Sequence, residues 1–126
     1  MTVTIYHNPQ CSVSRHVLDA LREAGIEPQI IEYLKSPPTL EELRDLVART
    51  GLSPRELLRE KESEYAELSL DDGSLTDDQI LGAIAAHPKL LERPILVGGK
   101  AVMIARPKER VADFIAIEEG DAPQPL

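Results

Sequence analysis

The tightest constraint on the fold lies at the amino-terminal end, where a strand signal, a helix signal and a second strand signal fill the first 33 residues. Thr2–Tyr6 alternates polar and apolar residues and is rich in β-branched side chains, the pattern of a half-buried strand. Asn8-Pro9 breaks it. From Ser12 onward Val17, Leu18, Leu21 and Ala24 recur at helical spacing until Gly25 stops the helix. Gln29–Tyr33 reads as a second strand, closed by Pro37-Pro38. Two strands joined by one helix run parallel, with a right-handed crossover.

The middle of the chain reads as helical. Thr39 with Glu42, Ser53 with Glu56 (Pro54 at the first helical position) and Thr76 with Gln79 each fit a capping box. Leu40, Leu43, Leu46 and Val47 form one apolar face, and Ile80, Leu81 and Ile84 another. A short helix near Tyr65–Leu68 and a turn at Gly73 fill the interval. Pro94–Val97 and Ala101–Ile104 flank Gly98-Gly99-Lys100 and read as a hairpin. Pro107 opens a last helix with Val111, Phe114 and Ile115 on its apolar face. The order β-α-β, helical insert, β-β-α is that of an α/β protein with a thioredoxin-like fold and a mixed four-stranded sheet. The expected organisation is a single domain over 1–117 with the helical insert at about 36–90, and a frayed tail over 118–126.

Charge and cysteine usage narrow the function classes. The formal net charge of −8 argues against sequence-independent nucleic-acid binding, which needs lysine and arginine against phosphate. The excess is local: residues 56–78 carry nine acids against Arg59 and Lys61, so an anion site built from arginines stays open elsewhere. No apolar run reaches the ~20 residues of a membrane span, and no basic n-region leads into an apolar stretch. The expectation is a cytoplasmic protein with neither membrane nor nucleic acid as partner. A single cysteine forms no internal disulfide and leaves no cysteine pair for zinc; no metal is expected.

That cysteine, Cys11, sits between the first strand and the first helix, where unpaired N–H groups and the helix dipole favour a thiolate. A strand-to-helix loop is a poor place for a purely packing cysteine. His7 on the strand exit and Arg15 one turn into the helix are both placed to add positive charge near the sulfur. Ser14 stands where a Cys-x-x-Cys motif has its second cysteine, so the site is monothiol and any redox turnover needs an outside thiol. Its hydroxyl is a candidate donor to the thiolate. No Cys-x5-Arg phosphatase loop is present, since the sixth residue after Cys11 is Val17. Arg93 precedes Pro94 at the third strand and Arg106 precedes Pro107 at the last helix. In thioredoxin-like domains the X-Pro bond before that strand is a cis-proline beside the active cysteine, which would bring Arg93 to the site.

His7-Asn8-Pro9-Gln10-Cys11-Ser12-Val13-Ser14-Arg15 resembles the His-Asn-Pro-x-Cys-x-x-Ser-Arg signature of the glutathione/glutaredoxin-dependent arsenate reductase family. The likeness continues in one register through Tyr33-Leu34, Pro37-Pro38, Leu57-Leu58-Arg59, Thr76-Asp77-Asp78-Gln79, His87-Pro88, Arg93-Pro94-Ile95 and Arg106-Pro107, about residues 2–115. The chain ends soon after its last helix, where several family members carry a longer tail. The resemblance implies Cys11 as nucleophile, His7 as the group favouring its thiolate, and Arg59, Arg93 and Arg106 as the arginines that bind the oxyanion. Asn8, Ser14, Arg15 and Pro94 support the site. Arsenate is the implied substrate, glutathione the co-substrate and a glutaredoxin the partner, with no bound cofactor. Two other readings stay open: a glutathione-dependent thiol reductase without arsenate specificity, and a redox-regulatory protein binding RNA polymerase. Such regulators often use a Cys-x-x-Cys switch, which Ser14 removes.

Overall fold

The computed structural model describes residues 2–120, and these divide into two compact units, residues 2–32 with 93–120 and residues 33–92.

The first unit holds the sheet. Strand β1 (Thr4–His7) pairs in parallel with β2 (Gln29–Glu32), with Ile5 opposite Ile30 and His7 opposite Glu32. On its other side β1 runs antiparallel to β3 (Ile95–Val97), which forms a hairpin with β4 (Val102–Ile104). The sheet order is β2-β1-β3-β4, a mixed four-stranded sheet of the thioredoxin-like type. Helix α1 (Ser12–Glu23) buries Val17, Leu18 and Leu21, the helical-period residues of the sequence, and ends where Gly25 turns left-handed at φ +82°. Most side chains resist that backbone region and glycine does not. Val3, Ile5, Val17, Leu21, Leu96, Val111 and Phe114 belong to one buried cluster that joins the sheet to α1 and to the final helix. Burying an aliphatic side chain of this kind contributes roughly 1.5–3 kcal/mol.

That final helix departs from the expected boundaries at both ends. Its regular part spans Arg110–Glu119 and is preceded by tight i→i+3 bonds from Arg110, Val111 and Ala112 to Pro107, Lys108 and Glu109. Pro107 therefore opens a turn and not the helix itself. At the far end the helix continues through Glu119 to a left-handed Gly120. The expected fraying from residue 118 is corrected there, because Glu118 is buried and its carboxylate accepts the N–H groups of Gly99, Lys100 and Ala101 at 2.8, 2.9 and 2.7 Å. The rest of the expected tail, 121–126, lies outside the described residues.

The second unit is helical. Helix α2 (Leu40–Thr50) buries Leu43 and Leu46, and α4 (Asp77–Ala86) buries Ile80, Leu81 and Ile84; the two helices pack together. Both start with complete capping boxes, Thr39 with Glu42 and Thr76 with Gln79. Between them lies the short α3 (Ser63–Glu67). The third expected capping box, Ser53 with Glu56, is absent: Ser53 makes no side-chain cap bond, and Pro54–Leu57 is a single 3₁₀ turn. The chain leaves helical geometry there because Leu58 pairs with Leu91 in an isolated antiparallel bridge. Arg59 N–H donates to Leu90 O at 2.7 Å and Glu92 N–H to Leu57 O at 2.8 Å. No helix among the described residues is long and apolar enough to cross a membrane.

Candidate active site

Cys11 is the cap residue of α1, held in extended geometry at φ −95° and ψ 121°. The loop that presents it is tied down locally. Asn8 O accepts the Cys11 N–H at 3.0 Å, closing a four-residue turn with Pro9 at the position where a fixed φ is favoured. The Asn8 side chain accepts the Gln10 N–H at 2.9 Å, and Arg15 donates to Pro9 O at 2.9 Å. Arg15 thus braces the loop that presents Cys11.

Several groups converge on the sulfur. Burial pushes the Cys11 thiol up, but the Ser14 amide, then the Arg93 guanidinium and the Val13 amide, more than reverse this and hold the thiol below its ordinary value. The amides act by facing the sulfur at the helix start, without closing a side-chain cap hydrogen bond. Arg106 adds a second guanidinium: one Nη donates to Cys11 Sγ at 3.4 Å while its Nε donates to Arg93 O at 2.6 Å. The carbonyl that fixes Arg106 belongs to the residue whose side chain also serves the thiol. Both bonds before the prolines, Arg93-Pro94 and Arg106-Pro107, are cis, as the strand-leading Pro94 was expected to be. Cys11, Ser14, Arg93 and Arg106 therefore meet in one place.

His7 enters differently from its sequence reading. It is 6% exposed, and burial, the largest influence, lowers its imidazole below the ordinary value near 6.5; Glu32 opposes this, and Arg22 and Arg15 reinforce it. Burial thus disfavours the charged form of the ring. Its Nδ1 instead lies 2.6 Å from Ser14 Oγ, which also accepts the Asn8 N–H at 3.1 Å. The fully buried Ser14 hydroxyl is committed to this network, so the part of Ser14 that serves the thiolate is its amide. His7 reaches Cys11 through Ser14.

Arg59 belongs to the helical unit. Its Nε pairs with Glu62 and one Nη with Glu92, each at 3.2 Å. Of the two, Glu92 did not stand out in the sequence. The i,i+3 spacing of Glu62 was a signal for one pair, whereas Glu92 is brought by the Leu58–Leu91 bridge, for which no local pattern exists. Among the described residues no group of three His, Cys, Asp or Glu side chains is placed to share a metal ion.

Comparison with known proteins agrees with this geometry. The model of the ArsC family matches residues 6–114. An arsenate reductase of Rhizobium meliloti is 47% identical over 115 residues, 91% of this chain and 82% of that protein. The uncharacterized protein YfgD of Escherichia coli is 46% identical over 114 residues, covering 90% of this chain and 96% of its own. The solved structure of an arsenate reductase from Vibrio cholerae superposes with a TM-score of 0.87 at 47% identity, over 90% of this chain and 97% of that one.

Proposed function

This chain belongs to the ArsC family, and from that premise we propose that it is an arsenate reductase in which Cys11 attacks the substrate and Arg93 and Arg106 receive its oxygens. The observation that carries the reading is a single thiol, held below its ordinary value, with two guanidinium groups against it and no second cysteine in the chain. A guanidinium fork matches two oxygens of a tetrahedral oxyanion, and the same charge steadies the thiolate that must approach it.

The thiolate attacks arsenic, an S–As bond forms, and one arsenate oxygen leaves as water once protonated; arsenic stays in the +5 state. Glutathione displaces a second oxygen as water and becomes bonded to arsenic through sulfur. A glutaredoxin thiolate then attacks the glutathione sulfur. The new disulfide takes the glutathione away, and the electron pair of the broken S–As bond reduces arsenic to +3. Hydrolysis of the remaining bond releases arsenite and restores Cys11. Both electrons come from external thiols, as a monothiol site demands, and the cytoplasm is the compartment that keeps them reduced. Family resemblance assigns Arg59 to the oxyanion as well.

Purified protein supplied with arsenate, glutathione, glutaredoxin and an NADPH-coupled regenerating system should form arsenite, and Cys11→Ser should not. Arsenite formation by Cys11→Ser at more than a few per cent of the normal rate would discard the mechanism. The pairing of Arg59 with two carboxylates favours one second reading, a glutathione-dependent thiol reductase without arsenate specificity. Turnover of a glutathione mixed disulfide with no arsenite formed would select it.

A further inference from the structure

Arg110 opens the regular part of the final helix, in the first turn, where the helix dipole favours an acid and opposes a positive charge. Its guanidinium reaches back along the chain, and one Nη donates to Ile104 O at 3.1 Å. The sheet explains why that carbonyl needs a donor. Strands β3 and β4 pair with Ile95 opposite Ile104, and the adjoining pair is bonded from Ala105 N–H to Pro94 O at 2.9 Å. Bonded and non-bonded pairs alternate in an antiparallel ladder, so Ile104 O faces away from β3. Among the described residues β4 is the edge strand of the order β2-β1-β3-β4, and no further strand receives that carbonyl. Ile104 is buried, and a buried carbonyl without a partner is costly.

The connection closed by this bond is the one that carries Arg106. Toward β3 it is tied by Ala105 N–H on Pro94 O and by Arg106 Nε on Arg93 O at 2.6 Å. On its outer side the Arg110 guanidinium joins the end of β4 to the start of the final helix. We propose that Arg110 is a positioning residue, whose bond to Ile104 O locks the connection and so holds the Arg106 guanidinium 3.4 Å from Cys11 Sγ. The inference rests on the reading in which Arg106 serves the thiolate and the oxyanion, and it deepens that reading. Arg110 acts through Arg106 and touches neither the sulfur nor the substrate. Without its donor the connection keeps its bonds toward β3 but is loosened at Ile104, and Arg106 is held against the sulfur for less of the time.

The test uses the one cysteine of the sequence. Iodoacetate and iodoacetamide both alkylate the Cys11 thiolate, so the ratio of their rate constants cancels the thiolate fraction and reports positive charge beside the sulfur. At fixed ionic strength Arg106→Ala should lower the ratio about three- to tenfold. Arg110→Met, which keeps an apolar stem and removes the donor, should lower it about threefold in the parent and less than about 1.5-fold when added to Arg106→Ala. A simple loss of charge would act equally in both backgrounds, and equal falls would overturn the inference. Lys108→Met removes an exposed charge from the same connection and should change the ratio less than about 1.5-fold; a fall matching that of Arg110→Met would overturn it too. The kcat/KM for arsenate should follow the ratio, about threefold lower in Arg110→Met and no lower in the double variant than in Arg106→Ala. If the ratio falls in Arg110→Met only where Arg106 is present, yet no protein forms arsenite, the positioning stands and the arsenate reading fails. An unchanged ratio in Arg110→Met or in Arg106→Ala overturns the positioning whatever the arsenate kinetics show.

Discussion

Removing the Glu118 carboxylate should destabilise the first unit far more than a position two residues before the end of the described residues suggests. Glu118 is 6% exposed and accepts three consecutive backbone N–H groups from the turn between β3 and β4. Hydrogen bonds to a charged acceptor are worth about 1.5–3 kcal/mol each. Gly99 and Lys100 are exposed, so water replaces much of what their amides lose, whereas Ala101 is half-buried. Glu118→Ala should therefore cost roughly 2–4 kcal/mol. For 126 residues, an unfolding entropy of about 2.1 cal/mol/K per residue gives about 0.26 kcal/mol/K, and hence a Tm lower by roughly 8–15 °C. Glu118→Gln, which keeps one neutral acceptor, should fall between. Gly98→Ala should act in the same direction, since a Cβ there runs into the Glu118 carboxylate. Thermal unfolding followed by far-ultraviolet circular dichroism measures all three. A Tm for Glu118→Ala within 2 °C of the parent would refute the reasoning, because three charge-assisted bonds cannot vanish without trace.

The network at His7 makes a second set of outcomes. His7→Asn keeps a neutral partner near the Nδ1 position and should leave the pH midpoint of Cys11 alkylation within a few tenths of a unit, whereas His7→Ala and Ser14→Ala should raise it; equal damage from Asn and Ala would restore a charged imidazole. His7 also affects stability against pH. Its folded value lies below the ordinary one, so its contribution is present above about pH 6.5 and is lost as pH falls toward the folded value. His7→Asn should flatten the acid limb of urea midpoints in that window, and an unchanged limb would count against burial as the cause. Arg93→Ala and Arg106→Ala should each lower kcat/KM for arsenate about ten- to a hundredfold, with lysine recovering only part. Arg44→Ala, an exposed partner of Asp78, should leave the kinetics intact; similar losses in all three would mean that no local arginine site exists.

Much of this protein is readable from short patterns, and the exceptions share one property. The strand, the α1 apolar period, the two complete capping boxes and the Gly-rich hairpin are set within a few residues of chain, where propensity and capping decide. Cys11 at a helix start and Arg93 before a strand-leading proline are legible for the same reason. What escaped depends on distant pairing. Ser53 and Glu56 carry the letters of a capping box, yet the Leu58–Leu91 bridge draws that segment out of helical geometry. The same bridge delivers Glu92 to Arg59. Glu118 sits among residues typical of a tail, and only the hairpin turn 17 to 19 positions earlier in sequence gives its carboxylate a purpose. At His7 the sequence shows a strand-exit histidine, but not the burial that disfavours its charged form, because no local pattern reports burial.

The central claim is that arsenic becomes bonded to the Cys11 sulfur before it is reduced. Its most direct measurement is the mass of the Cys11-containing peptide after the protein has been incubated with arsenate and glutathione, without glutaredoxin, and quenched. The account predicts arsenic, with or without attached glutathione, on that peptide at up to one equivalent per chain, and none anywhere in Cys11→Ser. Arsenite production by a protein whose Cys11 peptide never carries arsenic would contradict it.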